Sequence, residues 1–451
     1  MQRSPLPLPA DVADDTPVRL ERNDDVLYAE LDSPPVNAIT DRMRALLLSA
    51  VEMAEADDSL CGLVICAQGR VFSAGGDLRS VDQPADPGGV SLSDLCTRIE
   101  HLKKPVAIAI HARCIGGGGL LALACHARTG SEQASVALPE LNMGLVPGAG
   151  GTQRLPRLVG INAALACVAL SQLLSIDGPL GFFDATCSAD EDVRALAARV
   201  VREIAVGTRP FRRTCQRTVE PIDTVAVRDW VARAHAAFPG RAAADHAVSL
   251  IVASAGTDFE AGCAQEATVF SGLAHGPDFQ ALRHLFYAER ALPDTIEGEG
   301  GPGTIDALET LGGRLVELVC RGAVAAEVQT EAQEALRRQR RLPVLVRRES
   351  VATRLMTAVE AVGDKPLSHL PGLAPLGWTH SAISTGPTID RDLSDRLAAA
   401  MAAAGQRCLE DGLVDSPDTV DVIAVSACGF PAHLGGPLYH HRTRIGRTNA
   451  R

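Results

Sequence analysis

The chain has 451 residues, 46% of them hydrophobic, and a formal net charge of −12. Its length and composition predict two or three globular domains of the α/β or α+β class. The negative charge disfavours nonspecific binding to nucleic acid, and no apolar run reaches the roughly 18 residues that a membrane span requires. We therefore expect a cytoplasmic protein without a membrane span, beginning with a disordered, proline-rich segment over residues 1–15.

Cysteine and histidine usage argues against a disulfide framework and against a metal centre. The 12 cysteines are scattered, most of them lie in apolar runs, and no Cys-x-x-Cys occurs. The 12 histidines show no metal-ligand spacing. Reduced, buried thiols and no bound metal are the expectation.

Strand and helix patterns alternate in the first part of the chain. Residues Val26 to Leu31, Cys61 to Ala67 and Pro105 to His111 have the patterns of buried or half-buried strands. Asp41 to Ala56 and Leu92 to Leu102 have helical spacing. This order predicts an α/β (α+β) fold built from a repeated ββα unit.

Two glycine-rich segments follow these patterns. Residues 72–78 read Phe-Ser-Ala-Gly-Gly-Asp-Leu, and residues 116–119 are four glycines that open an apolar helix. When a tight glycine turn and a helix N-terminus face one point, two backbone N–H groups can stabilise a developing oxyanion. We predict Ala74 and Gly117 as these two donors. Neighbouring residues are predicted to contact the bound molecule: Ser73, Gly75, Gly76, Asp77, Gly116, Leu120 and, further along the chain, Gly148.

Together with Pro34 to Ile39 and residues 136–157, these motifs resemble, in order and spacing, the crotonase (enoyl-CoA hydratase/isomerase) superfamily. The resemblance implies a spiral core and an acyl-CoA thioester substrate, with coenzyme A as part of the substrate and no permanently bound cofactor. In that family two glutamates hold a water over the acyl-CoA double bond. Glu140 matches the second of them, whereas Leu120 stands at the position of the first.

The side chains around Glu140 predict a base that acts near neutral pH. Its apolar neighbours Leu138, Leu141 and Met143 would desolvate the carboxylate and raise its pKa. Asp77 is better suited to a cap or a loop anchor than to a base. Arg154 and Arg157 could pair with coenzyme A phosphates or with a neighbouring element, and the sequence leaves both open.

Leu120 cannot bind water or relay a proton. Its presence should remove a general acid–base contribution of about 100- to 10,000-fold from water addition. The arrangement resembles that of Δ3,Δ2-enoyl-CoA isomerases, which implies that Glu140 takes a proton from C2 and returns it at C4. The alternatives are an enoyl-CoA hydratase of fatty acid β-oxidation, other enolate chemistry such as decarboxylation or C–C cleavage, and a non-catalytic acyl-CoA-binding scaffold.

The rest of the chain resembles the multifunctional enzymes of fatty acid β-oxidation without their NAD-binding domain. We predict a crotonase-like domain over 16–205, a helical linker over 206–290, and a glycine-rich linker with a dehydrogenase remnant over 291–340. Residues 341–451 resemble the helical C-terminal domain of 3-hydroxyacyl-CoA dehydrogenase, so the C-terminal region is expected to be all-helical. Glu317 would match the glutamate of the dehydrogenase His-Glu dyad, but no matching histidine segment occurs.

Binding of NAD and dehydrogenase activity are not expected. Gly298, Gly300 and Gly303 satisfy Gly-x-Gly-x-x-Gly, yet no apolar strand precedes them and no βαβ unit of the needed length is predicted to follow. The expected partner is an acyl thioester of coenzyme A or of an acyl carrier protein. A homo-oligomer or a partner enzyme of an acyl-CoA or polyketide pathway is compatible with the sequence.

Overall fold

The computed structural model describes residues 16–81, 89–178, 181–188, 191–297, 303–309, 314–362 and 391–449. The chain divides into two compact units, one of Met1–Phe238 with Ala242–His275 and one of Pro239–Arg241 with Gly276–Arg451. The boundary lies inside the predicted helical linker. The predicted disordered segment 1–15 lies outside the described residues.

The first unit is built on two sheets. The strands are β1 (Val18–Asn23), β2 (Val26–Leu31), β3 (Gly62–Ala67), β4 (Val106–Ile110), β5 (Arg113–Ile115), β6 (Ala127–Ser131), β7 (Ser135–Ala137), β8 (Leu174–Ser175) and β9 (Ala185–Cys187). Six of them form one sheet in the order β1-β2-β3-β4-β6-β9, in which all neighbours except β1 and β2 are parallel. Strands β5, β7 and β8 form a smaller sheet.

The helices of the first unit are α1 (Asp41–Ala56), α2 (Leu92–His101), α3 (Gly117–Ala124), α4 (Gly151–Val159), α5 (Ile161–Ala169), α6 (Val193–Ala205), α7 (Thr224–Ala237), α8 (Ala242–Ala253) and α9 (Phe259–Ala274). Leu27, Leu63 and Ile108 belong to a core with α1 to α3, whereas the alternating Tyr28 and Val64 pack with α6. Because both faces are buried, the strands read as almost continuous apolar runs.

The local sequence explains where these elements begin. The Thr40 hydroxyl accepts a hydrogen bond from the Met43 N–H at the start of α1, and Ser91 does the same for Asp94 in α2. The predicted helices and the three predicted strands are all present, within one residue at each end. The predicted α/β core is thereby confirmed.

The second unit is mostly helical but contains a sheet. Its elements are α10 (Pro277–Arg290), β10 (Thr304–Glu309), β11 (Leu315–Arg321), α11 (Ala326–Arg338), β12 (Leu342–Arg347), α12 (Val351–Glu360), α13 (Arg391–Glu410), α14 (Pro417–Ala427) and α15 (Pro437–Asn449). Strand β11 pairs in parallel with β12 across α11 and antiparallel with β10. The helical character of the C-terminal region is confirmed. The expectation that it is all-helical is wrong, because β12 lies within it.

This sheet corrects one expectation from the sequence. A βαβ unit is present over Leu315 to Arg347, where we expected none of sufficient length. It forms because Leu318 and Leu345 pack with the partly buried Leu336 of α11 on one face, while Val319 and Val344 pack with α12 to α14 on the other. The short strands carry enough apolar side chains on both faces to build their own core.

Candidate active site

The Ser73–Gly76 turn is held by the segment that precedes α1. The Ser73 hydroxyl donates to the Asn37 carbonyl at 2.7 Å, and the Gly75 N–H donates to the Ser73 oxygen at 3.1 Å. The Ile39 N–H donates to the Gly75 carbonyl at 2.8 Å. The buried Ser73 side chain therefore fixes the turn instead of facing a ligand.

The structure contradicts the prediction that Ala74 is an oxyanion donor. The Ala74 N–H donates to the Val36 carbonyl at 2.9 Å, so it is already occupied. The Gly76 N–H donates no hydrogen bond to any described residue. A Cβ atom placed on Gly117 would lie only 3.2 Å from the Gly76 nitrogen. Gly76, for which the motif predicts only substrate contact, thus has an available N–H group beside Gly117.

Gly117 begins α3, so its N–H has no acceptor within the helix. Gly116 precedes it with a φ of 51°, a conformation that favours glycine, and donates its own N–H to the Ala137 carbonyl at 2.9 Å. A Cβ on Gly75 would lie 3.7 Å from the Gly117 nitrogen. Two unoccupied N–H groups therefore meet where the turn approaches the start of α3.

Glu140 lies beside this pair of donors. It opens the short 3-10 helix Glu140–Met143, and its Oε1 atom would lie 3.5 Å from a Cβ on Gly116. Its Oε2 atom is buried without a hydrogen-bond partner among the described residues. Burial, with a smaller effect of the Glu266 carboxylate, raises the pKa of Glu140 to about 8. This agrees with the desolvation that the apolar flanks predict.

Leu120 lies one turn into α3 and is 5% exposed. Its Cδ2 atom would lie 2.5 Å from a Cβ on Gly151, the first residue of α4, so only glycine fits there. Among the described residues no other carboxylate takes its place: Glu266, which influences Glu140, has both oxygens engaged by the start of α4. The described site therefore offers one carboxylate with an unpartnered oxygen.

Asp77 and Gly148, two further predicted site residues, make contacts within the protein. The Asp77 carboxylate accepts the Arg79 N–H at 3.0 Å, which makes it the expected loop anchor. Gly148 packs against the Phe270 ring of α9, 3.2 Å from where its Cβ would lie, and substrate contact there stays a prediction.

Arg154 and Arg157, which could have bound phosphate, are buried and make contacts within the protein. Arg154 forms a buried ion pair with Glu100 at 2.9 Å, and its guanidinium lies over the Phe259 ring. Arg157 donates to the Gln153 carbonyl at 2.8 Å and also lies over Phe259. Pairing with a neighbouring element, one of the two alternatives left open by the sequence, is what the structure shows.

Residues 21–236 match the family described as Enoyl-CoA hydratase/isomerase. Residues 21–236 are a domain of the crotonase superfamily.

Three relatives show how far the similarity extends. The peroxisomal bifunctional enzyme of Homo sapiens is 31% identical over 264 residues, 58% of this chain and 36% of that protein. The enzyme of the same name from Cavia porcellus is 26% identical over 415 residues, 88% and 56% of the two chains. A probable enoyl-CoA hydratase of Bacillus subtilis is 39% identical over 155 residues, 33% and 60%. The chain thus aligns with 36% to 56% of the length of these two peroxisomal relatives.

Glu317, which resembles the glutamate of a dehydrogenase dyad in sequence, has a structural role in the second unit. The buried Glu317 of β11 accepts hydrogen bonds from the Ser350 hydroxyl and, at 3.0 Å, from the Ala352 N–H at the start of α12. Of the glycine motif only Gly303 is described, since 298–302 lie outside the described residues. Gly303 leads into β10 and not into a helix, so it lacks the strand–turn–helix context of a phosphate loop.

One group of potential metal ligands occurs among the described residues of the second unit. Atoms of His284, Asp418 and Asp421 lie within 4.8 Å of one another. Asp421 already accepts the Leu438 N–H at 2.8 Å and the Tyr439 N–H at 3.1 Å, and it pairs with His284 at 3.2 Å. Its carboxylate caps the start of α15.

No helix in the described part of the chain is long and apolar enough to cross a membrane.

Proposed function

We propose that this protein acts on acyl-CoA thioesters through an enolate, with Glu140 as its single catalytic carboxylate and with Gly76 and Gly117 as oxyanion donors. The observation that carries the proposal is the buried, unpaired Glu140 Oε2 beside two unoccupied N–H groups. An unsatisfied buried carboxylate costs stability, so its retention points to a role in chemistry.

The most specific form of the proposal is Δ3,Δ2-enoyl-CoA isomerisation. Glu140 removes a proton from C2, and the negative charge that develops on the thioester oxygen is stabilised by the two N–H groups. Protonation of the dienolate at C4 by the same carboxyl group completes the shift of the double bond. This reaction adds no water and needs no second carboxylate, which suits a site with Leu120 in place of a glutamate.

Hydration is less well supported. The Bacillus subtilis relative is named a probable enoyl-CoA hydratase, but a hydratase needs a second group to hold the water. The oxygens of Glu266 accept three hydrogen bonds, from the Gly150 N–H, the Thr152 N–H and the Thr152 hydroxyl, and are not free to do so.

The test compares two activities in the full-length protein and in Glu140→Gln. The native protein should convert a 3-enoyl-CoA to a 2-enoyl-CoA and exchange the C2 proton for deuterium, with little hydration of crotonyl-CoA. Glu140→Gln should abolish both reactions while acyl-CoA binding stays nearly intact, because the oxyanion donors are backbone groups. Rapid hydration without isomerisation would overturn the proposal. Tight binding with neither reaction would favour a non-catalytic scaffold.

The proposal includes no NAD chemistry, since the glycine motif lacks its structural context and Glu317 caps a helix. Calorimetric titration should show no binding of NADH, with acyl-CoA as the positive control. Micromolar NADH affinity, worth about 8 kcal/mol, would contradict this.

A further inference from the structure

Glu266 of α9 is a buried carboxylate that the proposed reaction does not use. It is 1% exposed. Its Oε1 accepts the Gly150 N–H at 2.6 Å, and its Oε2 accepts the Thr152 N–H at 2.7 Å and the Thr152 hydroxyl at 2.6 Å. These donors surround the N-terminus of α4, where the helix dipole favours a negative charge.

The turn that Glu266 holds has an unusual conformation. Ala149 and Gly150 both have positive φ, 49° and 73°, and a non-glycine residue adopts such a φ only at a cost. Arg154 fixes the same turn from the other side, because its Nη1 donates to the Ala149 carbonyl at 2.5 Å. The next residue, Gly151, packs against Leu120. Glu266 and Arg154 together therefore fix the turn that packs against Leu120.

Glu266 also acts on Glu140 by its charge. The charged or titratable groups that face Glu140 are Glu266 of α9 and the Cys167 thiol of α5. Those that face Glu266 are Arg154, Glu140 and the thiols of Cys96 and Cys263.

The two carboxyl groups differ in what supports their ionised forms. Burial raises the pKa of Glu266 to about 7 against the opposing effect of its three donors and Arg154. The Oε2 atom of Glu140 has no donor, and the pKa of this group is about 8. The three donors favour the ionised form of Glu266, and its charge opposes the ionisation of Glu140.

We infer that Glu266 is a positioning residue for Glu140: its hydrogen bonds hold the turn at the start of α4, and its charge controls how readily Glu140 exchanges its proton. The inference rests on the proposed function for its kinetic readout. Helix α9, which carries Glu266 and follows the family-matched residues 21–236, would thereby influence Glu140.

The test is the pH profile of C2 proton exchange in full-length Glu266→Gln. Removal of the charge should lower the midpoint of the profile by about 1 pH unit. Glu266→Asp retains the charge and should keep the midpoint close to that of the native protein. Asp184→Asn is the matched control, because Asp184 is an ion-paired carboxylate of the same unit whose partner is Arg128, and its midpoint should not move.

An unchanged midpoint in folded Glu266→Gln would overturn the inference, as would an equal fall in Glu266→Asp. A second measurement does not depend on activity. Carboxyl titration by ¹³C NMR should show Glu140 titrating at lower pH in Glu266→Gln than in the native protein, because a charged Glu266 opposes the ionisation of Glu140. Unchanged titration of Glu140 in folded Glu266→Gln would overturn the inference. Persistent exchange in Glu140→Gln would instead defeat the proposed function and leave this titration as an independent test.

Discussion

At the scale of single residues, the reactivity of the site depends on the environment of Glu140. Burial shifts the pKa of this group from 4.5 to about 8, so most of it is protonated at neutral pH in the free protein. A base of this kind is weak at low pH and effective above its pKa. The pH dependence of activity and of stability should both report this shift.

The first prediction concerns activity. Since only ionised Glu140 can remove the C2 proton, exchange should rise about tenfold per pH unit at low pH and level off near pH 8. A pH series of deuterium incorporation into a bound acyl-CoA would measure this. A plateau that begins near pH 5 would show that the carboxyl is not desolvated in solution.

The same shift predicts a loss of stability with rising pH. The unfolded chain releases the Glu140 proton above about pH 4.5, whereas the folded protein retains it up to about pH 8. The stability of the folded state therefore decreases across this window and is lowest above it. Glu140→Gln should raise Tm more at pH 9 than at pH 5. An equal change in Tm at both pH values would contradict the prediction.

Leu120 supports a prediction of gained function. Leu120→Glu would place a second carboxylate where the family has one and should produce measurable hydration of crotonyl-CoA. It should also destabilise the protein, because the position is buried and already in tight contact with Gly151. Leu120→Gln is the matched control of equal size and should give no hydration. Equal hydration by both variants would show that a carboxylate at this position is not what is missing.

At the scale of elements, the site depends on how the Ser73–Gly76 turn meets the start of α3. The turn is held by hydrogen bonds to the segment before α1, and the N–H groups of Gly76 and Gly117 have no acceptor in the described part of the chain. A helix N-terminus supplies such a donor without any side chain. Substitutions at this junction should therefore affect catalysis more than folding.

Gly117→Ala tests the junction. The new Cβ would lie 3.2 Å from the Gly76 nitrogen and would fill the space between the two donors, which should lower kcat by about 100- to 1,000-fold. Gly272→Ala in α9 is the control, since its Cβ would meet nothing within 4 Å. Steady-state isomerisation and thermal unfolding would be compared for both variants. Full activity in Gly117→Ala would exclude an oxyanion site at this junction.

At the scale of the whole molecule, the first unit extends through the helices that follow the family-matched residues. Buried residues of α8 are part of its core, and Glu266 of α9 caps α4. Contact clustering ends this unit at His275. Helices α8 and α9 are therefore part of the folded unit that carries the candidate site.

A pair of fragments tests this boundary. A fragment of residues 1–275 should unfold in one cooperative transition, whereas one of residues 1–238 should aggregate, because it lacks the buried side chains of α8 and the Glu266 cap. Size-exclusion chromatography and thermal unfolding would distinguish the two. Comparable stability of both fragments would contradict this account of the unit.

The sequence alone determined the features that depend on local pattern. Strands β2 to β4, helices α1 and α2, the glycine start of α3 and the replacement of a carboxylate by Leu120 all follow from short motifs and apolar periodicity. The raised pKa of Glu140 was also predictable, because its immediate neighbours are apolar. In the second unit the βαβ unit was not predicted, because the parallel pairing of β11 with β12 joins segments that are separated by α11.

Only the tertiary structure decided which groups are free to act. Ala74 is unavailable because it pairs with Val36, and Arg154 is unavailable because it pairs with Glu100, 54 residues away. Glu266 reaches Gly150 across 116 residues of sequence, and no local pattern predicts a contact at that separation. A hydrogen-bond donor or carboxylate in a motif is a candidate for chemistry, but folding determines whether another part of the chain has already satisfied it.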